Sequence, residues 1–175
     1  MPFSLLKYGL SSAYPAEVDL PPPTELKSRY DVVIIGGGYT AMDCSRTSLR
    51  HGAKNVTIAY RRTRAEMPAL EDEINDAEQE GIVIEYLTAP CRIIGDSQGN
   101  VIGLECVRMK LGEPDHSGRR RPVPVPGSEY ILDCDLVIPA IGQDPDLSYL
   151  EDGDYGIKQT RWNSIVTHGG TMMTD

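Results

Sequence analysis

Asp31-Val-Val-Ile-Ile-Gly-Gly-Gly-Tyr-Thr-Ala-Met-Asp43 is followed by a helix-like run to Gly52, an apolar run over Val56–Tyr60, and then Arg61-Arg62-Thr63-Arg64. Val32–Ile35 is β-branched and apolar throughout, the composition of a parallel strand buried on both faces. Gly36 permits the tight turn that must follow, and Gly38 lets the main chain come close to a ligand. Ala41 supplies the small side chain that allows helix and strand to pack closely. The first N–H groups of the helix, with the positive end of its dipole, suit a pyrophosphate. Strand, glycine turn, helix and second strand together predict the first β-α-β unit of a dinucleotide-binding fold. Where a chain selecting NADH would carry a carboxylate for the ribose 2′-hydroxyl, this one carries Arg61, Arg62 and Arg64. Guanidinium forks match phosphate oxygens, so these residues point to the 2′-phosphate of NADPH. The bland alternative is a solvated basic loop pairing with the acids of the next helix. Two arginines on phosphate and one in a structural role is the expectation taken forward.

The rest of the chain is consistent with one such domain and flanking arms. Its 175 residues suffice for one good core, and 40% hydrophobic with 25% charged is ordinary globular composition. A net charge of −9 argues against a general nucleic-acid binder, so the arginine-rich pieces need a local explanation. No apolar run approaches membrane-spanning length, and Met1–Leu20, with Lys7, Glu17 and Asp19, lacks the apolar core of a secretory signal. Neither nucleic acid nor membrane is an expected partner, and a cytoplasmic location is expected. Cys44, Cys91, Cys106 and Cys134 form no C-x-x-C pair and read as small buried hydrophobes in a reducing compartment, with no metal site.

Residues 1–30 read as an arm, with the Pro21-Pro22-Pro23 run favouring an extended chain. After the second strand, Met67, Leu70, Ile74 and Ala77 fall at helical spacing. Glu71, Asp72 and Glu73 load that helix's first turn and Gly81 sits past its end. Ile82–Leu87 is expected as the third parallel strand. Then the period changes. Cys91–Ile94, a turn at Asp96–Asn100, Val101–Leu111 and a further extended run at Pro122–Leu132 predict an antiparallel meander in place of a crossover helix. Leu136-Val-Ile-Pro-Ala-Ile-Gly142 is one more buried strand. Ligands of open α/β sheets lie outside strand carboxyl ends, which brings Ala140, Ile141 and Gly142 into the expected site. The fold class is therefore α/β, a Rossmann-like parallel sheet with an antiparallel β-meander crossover, of the FAD/NAD(P)-binding domain type. The cofactor-binding residues are expected to be Gly36, Gly37, Gly38, Tyr39, Thr40, Ala41, Arg61, Arg62, Arg64, Ala140, Ile141 and Gly142.

Three segments carry a resemblance: Gly-Gly-Gly-x-Thr-Ala-Met-Asp-Cys, Tyr-Arg-Arg-x-Arg-Ala-Glu-Met-Pro-Ala, and Leu-Val-Ile-Pro-Ala-Ile-Gly-Gln-x-Pro-Asp. With Val107–Glu129 they resemble the NADPH-binding domain of the glutamate synthase small (β) subunit family and its relatives, including the amino-terminal half of dihydropyrimidine dehydrogenase. The resemblance spans nearly all of residues 31–146. It implies that this NADPH-binding domain is inserted in a FAD domain, with residues 1–30 leaving that domain and 147–175 returning to it. It implies NADPH as the bound cofactor and FAD in the parent protein, with hydride passing between them and electrons moving on through iron–sulfur centres or a large subunit. The family's FAD fingerprint lies upstream of Met1 and its Ala-Gly-Asp element beyond Asp175, so the chain is expected to be a piece of a larger flavoprotein that by itself holds no FAD and is inactive. Where the family has Asn or a similar small polar residue, this sequence has Tyr39. More distant disulfide reductases often carry Tyr there, over the nicotinamide pocket, which implies gating; otherwise Tyr39 packs at the turn.

The remaining polar residues suggest little chemistry. Arg119-Arg120-Arg121 falls on the predicted meander loop, away from the strand tips in the pattern, and reads as a solvated turn or a docking point for a partner domain. His51, His116 and His168 show no ligand spacing, and Asp43 reads as a surface or capping residue. No catalytic acid, base or nucleophile emerges, which fits a domain whose chemistry belongs to its cofactors. A stand-alone NADPH-binding redox sensor remains the non-enzymatic alternative. A methyltransferase using a similar glycine turn is disfavoured by the arginines, because the ribose of S-adenosylmethionine calls for a carboxylate.

Overall fold

In the computed structural model, which describes residues 29–114, 118–143, 146–150, 156–161, 164–171 and 173–174, the strands β1 (Asp31–Ile35), β2 (Asn55–Tyr60), β3 (Val83–Tyr86) and β7 (Leu136–Pro139) form a parallel sheet in the order β3-β2-β1-β7. The expected amino-terminal arm lies outside the described residues except for Arg29 and Tyr30. The register aligns Ile84, Ile58, Ile34 and Ile138 in one row across the sheet. Helices α1 (Tyr39–Arg50) and α2 (Glu71–Gln79) cover the face bearing Val32, Ile34, Val56 and Ile58, through Ala41, Met42, Ile74 and Ala77. Same-handed crossovers place both helices on one face.

The other face is covered by the meander. Strands β4 (Thr88–Gly95), β5 (Val101–Pro114) and β6 (Arg120–Leu132) form an antiparallel sheet in the order β4-β5-β6. Its Leu104 and Cys106, with Cys134 of the connection from β6 to β7, pack with Val33, Ile35 and Ala59 of the parallel sheet. The central strand β1 is thus buried between helices and meander, which is why Val32–Ile35 carries no polar alternation. The prolines fall where a missing N–H is tolerated. Pro122 and Pro124 lie on β6, an edge of the meander, and Pro139 lies on β7, an edge of the parallel sheet. Ala140 N–H donates to Ile35 O at 2.7 Å, so the preceding proline nitrogen faces the open edge.

Several local expectations shift. Leu70, expected on the apolar stripe of α2, is instead its N-cap, extended at φ −65° and ψ 146° and 59% exposed. A residue outside the helix does not follow its angular spacing. Strand β7 ends at Pro139 rather than at Gly142. Cys44 and Cys91 are half-buried rather than buried, Cys91 at a bulge between Pro90 and Arg92. Burial pushes the Cys106 and Cys134 thiols up, to about 12 and about 11, as expected of inert core cysteines.

By its contacts the chain divides into two units, Met1–Ile141 and Gly142–Asp175. The second contains a 3₁₀ turn at Ser148–Leu150 and a small antiparallel bridge between Gln159 and Ile165, supported by Thr160 N–H donating to Ser164 O at 2.7 Å.

Candidate functional site

The carboxyl ends of β1, β2 and β7 are adjacent because the strands are parallel and in register, Ile35 lying beside Ala59 and Pro139. Gly36, Arg61 and Ala140 leave the sheet at this end. Gly36 has φ +149°, and a Cβ there would stand 2.4 Å from Ala140 O and 3.3 Å from the Cβ of Ala41. Its turn is therefore closed by backbone that cannot yield, and the fully buried Ala41 has just the room it needs. Gly37 is constrained from the other side, since its Cβ would meet the Tyr60 ring at 2.5 Å. Gly38 differs from both. It is extended, at φ −99° and ψ −174°, and nothing lies within 4 Å of where its Cβ would be.

Gly38 is also the N-cap of α1, and it offers no side-chain cap. The first turn of an α-helix has N–H groups without intrahelical acceptors, and here Tyr39 and Thr40 occupy it with no acidic residue among them. Helix α2 is the contrast, its first turn holding Glu71, Asp72 and Glu73. Of the two amino termini, only that of α1 is left with its positive dipole end open to an anion. Tyr39 stands beside it with half its surface exposed.

The three arginines after β2 part company. Arg61 is exposed. Arg62 is 5% exposed, and its Nε donates to Arg120 O at 2.9 Å. Arg64 donates to Glu71 Oε1 at 3.0 Å, Glu78 Oε2 at 2.8 Å and Asn75 Oδ1 at 2.6 Å. Pairing with the acids of the next helix, weighed as the alternative for all three, is what Arg64 does. These bonds drive its pKa further above the ordinary arginine range. Arg62 is engaged on its main chain too, where its carbonyl accepts from Leu87 N–H at 3.0 Å, and Leu87 O accepts from Met109 N–H at 2.7 Å. Leu87 sits at φ +52°, the one described non-glycine residue with positive φ. Arg62 thus fastens the end of β2 to the meander.

This fastening corrects the placement of Arg119-Arg120-Arg121. Far from the strand tips in sequence, the start of β6 lies at the end of β2, where Arg62 binds Arg120. Arg120 is spent on the turn itself, donating to Leu111 O at 2.9 Å and Gly112 O at 3.1 Å. Tyr60 is the residue the sequence reading passed over. Its ring backs Gly37, its hydroxyl donates to Glu66 O at 2.6 Å, and a capping box of Thr63 and Glu66 holds that segment. Its position at the end of β2 was visible; its contact with the glycine turn was not.

Of the other expected residues, Ala140 is buried against the glycine turn and Ile141 is 40% exposed beside it in sequence. Gly142, at φ +92°, opens the second unit. Among the described residues no group of His, Cys, Asp or Glu could hold a metal ion, and no helix is long and apolar enough to cross a membrane.

The geometry has relatives. The chain is 57% identical over 136 residues to the NADPH-Fe(3+) oxidoreductase subunit beta of Geobacter sulfurreducens, covering 78% of this chain and 20% of that one. It is 48% identical over 114 residues to the glutamate synthase (NADPH) small chain of Escherichia coli, covering 65% and 24%. It therefore spans only a fifth to a quarter of the length of these relatives. Among solved structures, Lactococcus lactis thioredoxin reductase superposes with a TM-score of 0.63 at 20% identity, over 84% of this chain and 41% of that one, and shows the same fold. The resemblance to the glutamate synthase small subunit read from the three motifs thus extends over 114 aligned residues. The model of the pyridine nucleotide-disulphide oxidoreductase family matches residues 10–172, and the chain belongs to that family.

Proposed function

We propose that this chain binds NADP(H) at the carboxyl edge of its parallel sheet and presents it to a flavin, as the pyridine-nucleotide domain of a larger oxidoreductase resembling the glutamate synthase small subunit. The observation that carries the reading is the uncapped amino terminus of α1 behind Gly38, with open space over that glycine and an exposed arginine, Arg61, at the end of the neighbouring strand. The residues fit the group. Main-chain N–H groups of Gly38, Tyr39 and Thr40 would hold the pyrophosphate, and Arg61 would hold the 2′-phosphate. NADPH supplies a hydride; the protein's part is to bind, orient and discriminate. The names of the two relatives, an NADPH-Fe(3+) oxidoreductase subunit and an NADPH glutamate synthase small chain, support the choice of NADPH over NADH.

Beyond this chain we assign FAD to the parent protein, with a FAD domain and an iron–sulfur domain or large subunit receiving electrons, in the cytoplasm. The relatives named as subunits, of which this chain spans a minor part, support that assignment. Calorimetric titration tests the core of the reading. The chain should bind NADPH more tightly than NADH, and Arg61→Ala should weaken NADPH about tenfold or more. A charge-assisted hydrogen bond contributes roughly 1.5–3 kcal/mol, and each 1.4 kcal/mol is about a factor of ten. Equal affinity for both nucleotides in the unmutated chain would sink it.

A further inference from the structure

Two segments widely separated in sequence meet at the end of β2. Arg62 Nε holds the carbonyl of Arg120 at 2.9 Å, 58 residues along the chain, so the residue next to Arg120 is held beside the arginines that follow Tyr60. Arg120, at the start of β6, donates to the Leu111 and Gly112 carbonyls, and Arg119 and Arg121, exposed as it is, flank it on either side. The two are not equivalent. Burial pushes the Tyr60 phenol above its ordinary value, and the charges of Arg62, Arg119 and Arg61 pull it back, the pull of Arg119 being larger than any from Arg121. The charges of Arg61 and Arg119 therefore converge on the same phenol, whose ring in turn backs the glycine turn. In a chain of net charge −9, such a convergence of guanidinium groups at one sheet edge is a local field for an anion.

We infer that Arg119, carried on the β5–β6 turn and positioned through the Arg62–Arg120 bond, is a second specificity-determining residue that joins Arg61 on the 2′-phosphate of the bound nucleotide. The inference rests on the reading of this edge as an NADP(H) site. It makes discrimination composite: one arginine comes from the β-α-β unit that binds every dinucleotide, the other from the meander inserted in place of a crossover helix. Arg62 acts here as a positioning residue, since its guanidinium is buried and bonded to the turn.

The test is titration of the full chain with NADPH and NADH for Arg119→Gln, Arg119→Lys, Arg121→Gln and Arg61→Gln, with thermal unfolding alongside. Arg119→Gln should weaken NADPH about tenfold with NADH affinity and Tm held, and Arg119→Lys should recover part of the loss, because a point charge remains. Arg121→Gln should leave the NADPH to NADH ratio within about twofold of the parent. The inference is overturned if Arg119→Gln leaves NADPH affinity unchanged, if it weakens both nucleotides equally, or if Arg121→Gln costs as much as Arg119→Gln. Should Arg61→Gln alone abolish the preference, the proposed function stands and Arg119 is excluded. Should the parent chain show no preference, the proposed function itself fails.

Discussion

Three consecutive glycines do three different jobs, and substitution separates them. Gly36 is strained for any side chain, at φ +149° and 2.4 Å from Ala140 O, and Gly37 is closed off by the Tyr60 ring. Alanine at either position should lower Tm, with the Gly36 variant worse because backbone is the obstacle and cannot rotate aside. Gly38→Val should behave in the opposite way. Its backbone is extended and its Cβ meets nothing, so the fold should survive with an unchanged Tm while nucleotide binding is lost to the branched side chain over the helix terminus. Thermal unfolding and NADPH titration on the same samples check this. Retained affinity in Gly38→Val would move the phosphate site elsewhere. What was legible in the sequence here was the pattern Gly-x-Gly-x-x-Ala; that the middle glycine answers to Tyr60 was not, because that contact comes from the neighbouring strand.

Elements whose environment is uniform along their length were read best. Strand β1 announces itself because both its faces are buried, and the meander because its turns, such as Asp96–Asn100, use residues with local reasons to turn. Asp96 Oδ1 accepts from the N–H groups of Gln98 and Asn100 there. Side chains whose partners lie on another element were not legible. Arg64 sits three residues from Arg61, yet its fate is decided by Glu71, Asn75 and Glu78 on α2, and that of Arg62 by a turn in the meander. The contact between helices shows the same logic. Glu80, the C-cap of α2, accepts from Arg46 Nη2 at 2.6 Å and from Arg50 Nη2 at 3.0 Å, both on α1. The Arg46 bond holds its carboxyl below the ordinary value of 4.5, against the opposing push of burial. A carboxylate with a depressed folded pKa stabilises the fold above its unfolded pKa and loses that contribution as pH falls through the folded one. Glu80→Gln should therefore lower Tm at neutral pH, and its deficit should shrink as pH is taken below about 4.5. Parallel Tm-against-pH curves for parent and variant would show that the ion pairs contribute nothing.

At the scale of the molecule, the sequence holds a single Gly-x-Gly-x-x-Ala turn, at Gly36–Ala41, and the structure surrounds it with features that suit one nucleotide. Two cofactors must meet for hydride to move, since the nicotinamide has to lie in near contact with a flavin ring. A second dinucleotide would need its own strand, turn and helix terminus. The other α-helix among the described residues, α2, opens with Glu71, Asp72 and Glu73, which repel a pyrophosphate. We therefore expect the 175-residue chain, purified as it stands, to bind NADPH, to retain no FAD, and to oxidise no NADPH with artificial acceptors. Adding free FAD should not rescue turnover, because the sequence's single Gly-x-Gly-x-x-Ala turn is assigned to NADPH. Absorbance between 350 and 500 nm after gel filtration, on the order of the range where flavins absorb, is the simplest measurement, with steady-state NADPH oxidation as the second. A yellow protein carrying about one flavin per chain would overturn the expectation and give the chain a second cofactor site. A colourless protein that binds NADPH would leave it as a nucleotide-presenting domain, whose partner is then best sought by asking which flavoprotein restores NADPH oxidation to it.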